Sequence, residues 1–178
     1  MQNQLFELAR KRRSVRRYAA GHIADDVITE IMKVALTAPC SFGHHPVEFV
    51  VVRDKDMIKK TQHVRNWVGT QINGADAVIV VFVKTENEKL SEFWIEDGAV
   101  ASAYLLLAIE QYDLGACWVH IRNRQGINGT SDEEMRALLN IPDGYTVLNL
   151  VAFGERGESK PPYEERNLQY KNIHTEKF

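Results

Sequence analysis

Hydrophobic positions along this chain follow a helical spacing in some segments and form short apolar runs in others. Spacings of three and four residues predict helices over residues 25–38, 54–63 and 92–112, a short helix around residues 5–8, and one that ends near residue 139. Runs rich in β-branched residues predict strands over residues 49–52, 77–83, 115–121 and 147–153. The chain therefore alternates helices and strands.

Several residues set the ends and depths of these elements. The 77–83 run is apolar throughout, which predicts a strand buried on both faces, and residues 99–109 are apolar nearly all round, which predicts a core helix. Pro39 ends the 25–38 helix, and the sequence Ser131-Asp132-Glu133-Glu134 predicts a capping box. Pro142-Asp143-Gly144 predicts a turn before the last strand.

Length and composition are those of an ordinary globular protein. With 178 residues, 44% hydrophobic and 26% charged, the chain is long enough for one domain with a substantial core. Its net charge of −2 argues against general attraction to nucleic acid or to an anionic membrane. No apolar run has bilayer-spanning length and no leader pattern opens the chain, so we expect a cytoplasmic protein. Two cysteines and no CxxC agree with a reducing compartment.

Residues 155–178 differ from the rest of the chain. They are polar, carry Pro161-Pro162, and include the scattered aromatics Tyr163, Tyr170 and Phe178. Such a segment cannot build a core of its own. It either docks, on the same subunit or on a partner, or forms a frayed terminus.

The run Arg12-Arg13-Ser14-Val15-Arg16 concentrates three fixed cations and a hydroxyl. Guanidinium groups offer planar pairs of donors that suit phosphate or a carbonyl edge. The cluster is consistent with an anionic cofactor, with a solvated basic face, or with part of a nucleic-acid footprint.

The cysteines and two neighbouring histidines can be considered as a catalytic or metal-binding site. Cys40 close to His44 and His45 could be a nucleophile with its base, but neighbours in sequence are weak evidence for a catalytic pair. The two histidines lack the spacing of metal ligands, so we predict no metal site. We expect Cys117 to be a packing residue.

Taken together, the motifs resemble those of the nitroreductase family of flavin mononucleotide (FMN) enzymes. The resemblance rests on ordered segments that span almost the whole chain: Arg12–Arg16 followed by Tyr18, residues 38–49, residues 105–119, residues 141–154, and the tail from Lys160 to Phe178. It implies an α+β fold with a central, mostly antiparallel sheet flanked by helices, as a single domain over residues 1–178. It also implies a homodimer with FMN at the interface, in which residues 155–178 dock on the partner.

The resemblance assigns cofactor contacts residue by residue. Arg12 and Ser14 would hold phosphate or ribityl oxygens, Arg13 would help at the phosphate, and Arg16 would tune the N1/O2 edge of the flavin, where a cation favours the reduced state. Further contacts would come from the partner's 39–45 loop, from backbone N–H groups near flavin N5, and from the segment that closes over the phosphate: Pro39, Cys40, Ser41 and His45; Val119, His120 and Ile121; Gly154 and Lys160. Arg166 is a further candidate cation, and Arg17 is expected to be solvated.

Some positions depart from the family pattern. Gly43, His45 and Val47 stand where the family has asparagine, glutamine and tryptophan, and His120 and Asp113 stand where it commonly has glycine. These departures bear on flavin affinity and substrate choice.

The implied function is an FMN-dependent oxidoreductase that uses NAD(P)H to reduce nitroaromatics, quinones or related acceptors by a ping-pong hydride mechanism. The flavin carries the chemistry, so no catalytic acid–base pair is expected, and the absence of GxGxxG makes NAD(P)H a transient substrate. The alternatives are a flavin carrier or sensor without efficient NAD(P)H turnover, and reductive removal of a halogen or reduction of an unsaturated bond. Residues 64–73, with Trp67, are expected to line the substrate entrance.

Overall fold

A computed structural model describes residues 3–66 and 71–178. The helices are α1 (Gln4–Lys11), α2 (Asp25–Leu36), α3 (Lys55–His63), α4 (Glu88–Ser91), α5 (Trp94–Gln111) and α6 (Ser131–Leu139). The strands are β1 (Val47–Val52), β2 (Ala77–Lys84), β3 (Gly115–His120) and β4 (Tyr145–Gly154). The described tail holds only two short 3-10 turns, Glu165–Asn167 and Tyr170–Asn172.

The four named strands form one sheet in the order β1-β2-β4-β3, and each neighbouring pair is antiparallel. Strand β2 is buried on both faces because its side chains alternate between two hydrophobic layers. Val78, Val80 and Phe82 pack on the side that carries α3 and α6, whereas its odd-numbered residues pack with α2 and α5. The expected α+β class with an antiparallel sheet flanked by helices is confirmed.

Two local predictions need correction. The long helix expected over residues 92–112 begins only at Trp94, because Phe93 has non-helical backbone angles that separate it from the short helix α4. The capping box lies one residue earlier than expected. Thr130 is the N-cap, its hydroxyl accepts a bond from Glu133 N at 3.2 Å, and Glu133 Oε2 accepts from Thr130 N at 2.8 Å.

A buried carboxylate fixes the start of β2 to neighbouring segments. The Asp76 side chain is 7% exposed and accepts hydrogen bonds from Ile23 N (2.9 Å), Arg53 (3.0 Å) and Lys55 (2.8 Å). Burial raises the pKa of Asp76, but the bonds from Lys55 and Ile23 and the charges of Lys55 and Arg53 outweigh burial, so its pKa is lowered. This ion network holds the chain between α1 and α2 against the sheet.

None of the helices in the described part of the chain combines the length and the apolar composition needed to cross a bilayer.

Candidate functional site

The arginine segment, residues 12–16, lies along the edge strand β3. Val15 N donates to Ala116 O at 2.8 Å, Ser14 pairs with Ala116 as a parallel bridge, and the Val15 side chain is fully buried. In an extended segment the flanking side chains point away from a buried neighbour. Arg16 is accordingly exposed and Ser14 half-buried.

Gly115 allows this close approach. A Cβ at position 115 would lie 2.5 Å from Val15 Cγ1 and 2.8 Å from Val15 Cβ, distances that atoms in contact do not reach. Any side chain on residue 115 would therefore displace the arginine segment from β3.

Tyr18 anchors the chain that follows the arginine segment. Its hydroxyl lies within 3.1 Å of the carbonyl oxygens of Val15, Gln71 and Ala152, and it donates to one of them at a time. Burial, more than any neighbouring charge, raises the pKa of Tyr18, so the hydroxyl stays protonated and remains a donor.

Glu158 joins the tail to the arginine segment. Its carboxylate accepts from Arg16 N at 2.6 Å and lies 3.5 Å from Lys160 Nζ, which also donates to Ser14 O. The bond from Arg16 N lowers the pKa of Glu158 most, and Lys160 lowers it further. Lys160 therefore lies beside the arginine segment, but its ammonium group is already paired. Glu158 was not among the predicted site residues, because the sequence marks it only as an acid two residues before Lys160.

The cations of the segment differ in what they contact. Arg13 donates to Pro161 O and lies over the Tyr163 ring, 4.7 Å from its centroid. Arg12 and Arg16 form no ion pair with any described residue. Arg16 faces Cys117, whose pKa is raised by burial despite this neighbouring charge. Cys117 is buried, in agreement with a packing role. The segment thus holds Arg13 in place, and no carboxylate among residues 3–66 and 71–178 pairs with the guanidinium groups of Arg12 and Arg16.

The far end of β3 presents the second group of predicted residues. Val119 and Ile121 are buried, whereas His120 is exposed and accepts a bond at Nδ1 from Trp118 Nε1 at 3.1 Å. Although His120 reaches solvent, part of its ring is shielded, and this partial burial lowers its pKa most, followed by the charges of Arg124 and Arg65. The imidazole is therefore neutral at pH 7. Ala116 lies beside the arginine segment, and His120 is four residues further along β3. The strand therefore separates the arginine segment from His120 by about 13 Å.

Gly154 lies beneath Tyr18 and pairs with Gly115 across the sheet. A Cβ at position 154 would lie 3.1 Å from Asp76 N and 3.3 Å from Tyr18 Cδ1. This packing accounts for glycine at the position.

The structure does not bring the 39–45 loop to the arginine segment within one subunit. Pro39, Cys40 and His45 line a separate cavity of about 130 Å³ with Asp97, which accepts from Ser41 N at 2.7 Å and Ser41 Oγ at 2.9 Å. None of the hydrogen bonds between described residues joins this loop to residues 12–16. Cys40 Sγ accepts from the backbone N of His45 at 3.1 Å, which is not the thiol–imidazole contact a nucleophilic pair requires.

Three remaining predictions concern the periphery. Arg17 is 78% exposed in its contact with Glu158, and Arg166 pairs with Glu164 at 2.8 Å near the surface. Residues 64–66 and 71–73 of the expected substrate entrance are described, whereas Trp67 lies outside the described residues.

Comparison with known proteins gives one consistent result. The nitroreductase family model matches residues 9–72 and 61–155. A relative from Archaeoglobus fulgidus named as an NADH dehydrogenase/NAD(P)H nitroreductase is 31% identical over 169 residues, covering 94% of each chain. A relative of the same name from Methanothermobacter thermautotrophicus is 28% identical and covers 98% of this chain and 87% of its own.

A solved structure agrees with these relatives in fold. The FMN-dependent nitroreductase from Clostridium difficile R20291 superimposes with a TM-score of 0.90 at 32% identity, covering 96% of this chain and 98% of its own. Sequence, fold and family model coincide over most of the chain, which therefore belongs to the nitroreductase family.

Proposed function

We propose that this protein is an FMN-dependent oxidoreductase that oxidises NAD(P)H and reduces nitroaromatics, quinones or related acceptors. The observation that carries the proposal is the arginine segment, in which Arg12 and Arg16 form no ion pair with a described carboxylate, while Glu158 and Tyr18 fix the backbone at Arg16 and Val15. Family membership supports it, as do the names of the Archaeoglobus relative and the Clostridium structure.

The donor set suits FMN. Arg12, with Ser14, offers a cation and a hydroxyl for the phosphate or ribityl oxygens, and Arg13 and Lys160 add positive potential nearby. Arg16 lies toward Cys117 on β3, and from there it would act at the N1/O2 edge of the flavin, where a cation would favour negative charge on the reduced ring. When bound, FMN supplies hydride acceptance and donation.

The chain's own groups bind and orient rather than exchange protons. Among the backbone N–H groups predicted to contact the N5 edge, that of Ile121 already donates to Leu148 O at 3.3 Å. Because antiparallel bonding alternates along the strand, Val119 N also points toward β4, which leaves the His120 N–H as the candidate. The raised pKa of Cys117 keeps its thiol protonated, so it does not compete as a nucleophile. The neutral imidazole of His120 can donate through Nε2 without adding charge. Catalysis in this proposal is positioning and electrostatics, with both substrates using the ring in turn.

A homodimer completes the proposed site. The loop with Pro39, Cys40, Ser41 and His45 would reach the flavin of the partner subunit, since it does not meet the arginine segment of its own. Large exposed apolar side chains support an interface: Leu5 64%, Leu36 63%, Phe42 74%, Ile173 71% and Phe178 106% exposed. Light scattering on the purified protein should give the mass of two chains, and a monomer would contradict this arrangement.

Visible absorbance of the purified protein, before and after anaerobic NADH or NADPH, tests the function directly. We expect flavin bands that bleach with at least one nucleotide and return when a quinone is added. Bands that persist would favour the alternative of a flavin carrier or sensor. A protein that is colourless and does not take up added FMN would overturn both.

A further inference from the structure

A second group of cations lies outside the arginine segment, near the far end of β3. Arg65 and Arg124 line one cavity of about 420 Å³ together with the neutral amide side chains of Asn66 and Gln125. Asn66 N donates to Gln125 O at 2.9 Å, so the two segments are joined at this point. The cavity therefore brings together cations from distant parts of the sequence.

The segment that carries Arg124 is held by its own hydrogen bonds. Arg124 N donates to Ile121 O at 3.1 Å, Ser131 N donates to Arg124 O at 2.9 Å, and Gln125 Nε2 donates to Gly129 O at 2.8 Å. A guanidinium on such a fixed backbone loses less conformational freedom when it binds a ligand.

These cations have no internal counterion. No ion pair between described residues includes Arg65 or Arg124, and residues 67–70 carry no carboxylate. The nearby acids are already engaged by other groups: Asp132 by Arg136 and Val147 N, Glu133 by Thr130, and Glu134 by Asn128 N. Mutual repulsion remains, because Arg124 adds to burial in lowering the pKa of Arg65.

The cavity adjoins the proposed reaction centre. Arg124 N donates to Ile121 O at 3.1 Å, and Ile121 directly follows His120 at the proposed N5 edge. In agreement with this geometry, the charges of Arg124 and Arg65 lower the pKa of His120 after burial has done so. Arg124 and Gln125 also line a neighbouring cavity of about 600 Å³, in which Arg122 lies over the Trp94 ring at 5.9 Å from its centroid. A ligand over the flavin could therefore extend an anionic group to Arg65 and Arg124.

We propose that Arg65 and Arg124 bind the anionic group, carboxylate or phosphate, of a substrate. Guanidinium pairs recognise both oxyanions through charge-assisted hydrogen bonds. The group could belong to an acceptor such as a nitrobenzoate or to the 2′-phosphate of NADPH. That the ligand is a substrate rests on the proposed function, whereas the affinity of the cavity for an anion does not.

Calorimetric binding to the FMN-loaded protein tests the proposal with two matched pairs of probes. The first pair is 4-nitrobenzoate and its neutral analogue 4-nitrobenzamide, and the second is adenosine 2′-monophosphate and neutral adenosine. We expect wild type to prefer the more anionic member of one pair, and Arg65→Gln and Arg124→Gln each to weaken that member about tenfold. The pair that responds identifies the source of the anion.

Three controls separate charge recognition from damage to the fold. Arg124→Lys should recover part of the affinity, and Lys59→Gln, which removes an exposed cation on α3, should change nothing. The uncharged analogues, 4-nitrobenzamide and adenosine, should bind all variants equally. Equal binding within both pairs, or a preference that survives both glutamine variants, would overturn the proposal. A loss of NAD(P)H turnover in wild type would instead count against the proposed function, because the binding measurement does not require turnover.

Discussion

Two adjacent arginines, Arg16 and Arg17, have different surroundings, so substitutions can distinguish their contributions to cofactor binding. Arg16 faces the buried Cys117 thiol, whereas Arg17 is 78% exposed and contacts Glu158 at the surface. Arg16→Ala should raise the FMN dissociation constant about tenfold, because a charge-assisted contact is lost. Arg17→Ala is the matched control and should leave FMN affinity unchanged, since exposed ion pairs contribute little. Equal effects in a flavin-fluorescence titration would contradict the role of Arg16.

His120 offers a spectroscopic check at the same scale. Its pKa is lowered by burial and then by Arg124 and Arg65, so the imidazole becomes protonated only below the ordinary histidine range. In Arg124→Gln the pKa should move upward but remain below its ordinary value, since burial persists. An NMR pH titration of the His120 ring reports this directly. An unchanged midpoint would mean that Arg124 does not approach the ring.

The cations of the candidate site were predictable from the sequence, whereas the Glu158 carboxylate that holds their backbone was not. The order of basic residues and glycines matched the family pattern, so the arginine segment and Lys160 were found together. Glu158 was missed because its partner, Arg16 N, lies 142 residues away, and an isolated acid in a polar tail looks like any solvated residue. Contacts of this separation depend on the folded sheet.

At the scale of elements, the arginine segment depends on how closely it approaches β3. Gly115→Ala would place a methyl group 2.5 Å from Val15 Cγ1, and overpacking of this kind costs about 1–3 kcal/mol. We expect a lower melting temperature and weaker FMN binding together, because Arg12 and Arg16 flank Val15. The double variant Val15→Ala/Gly115→Ala should recover part of both losses. Stability lost with FMN affinity intact would separate the segment from the cofactor.

The Asp76 network predicts a pH dependence of stability. Asp76→Asn should lower the free energy of unfolding at pH 7 by about 3 kcal/mol, because Arg53 and Lys55 lose a buried counterion. The pKa of Asp76 is lowered in the folded state, so its contribution is present above the ordinary aspartate range and is lost as the pH falls through the folded pKa. The difference between wild type and variant should therefore shrink in acid.

Urea unfolding at neutral and acidic pH measures this difference. Asp56→Asn, which changes an exposed carboxylate on α3, is the control and should shift stability by less than about 0.5 kcal/mol. A wild-type advantage that stays constant into acid would contradict the ion-network account.

Element type followed from periodicity, whereas element pairing did not. The continuous apolar run of β2 and the apolar centre of α5 identified both elements, and only their ends moved by one or two residues. The sequence did not predict the interruption between α4 and α5, because Glu92 and Phe93 are compatible with a continuous helix. The order β1-β2-β4-β3 could not be read from local sequence, since β2 pairs with a strand some 60 residues further along. The fold class was predictable through the family resemblance.

At the scale of the whole molecule, the tail tests the proposed dimer. The tail contacts its own subunit through Glu158, Lys160 and Tyr163, whereas nearly all side chains from residue 164 onward are exposed. A chain that ends at residue 167 should still unfold in one cooperative thermal transition, which shows that the subunit is folded. It should sediment as a monomer at micromolar concentration. A truncated chain that still forms dimers would show that the tail does not dock on the partner.

The bond from the Arg16 backbone to Glu158 also has a consequence for biosynthesis. The two groups that hold the arginine segment, Glu158 and Lys160, lie 142 and 146 residues after their partners in the chain. At typical elongation speeds the ribosome needs about 7–30 s to add the residues in between. A growing chain therefore cannot assemble the candidate site before Glu158 and Lys160 have been synthesised.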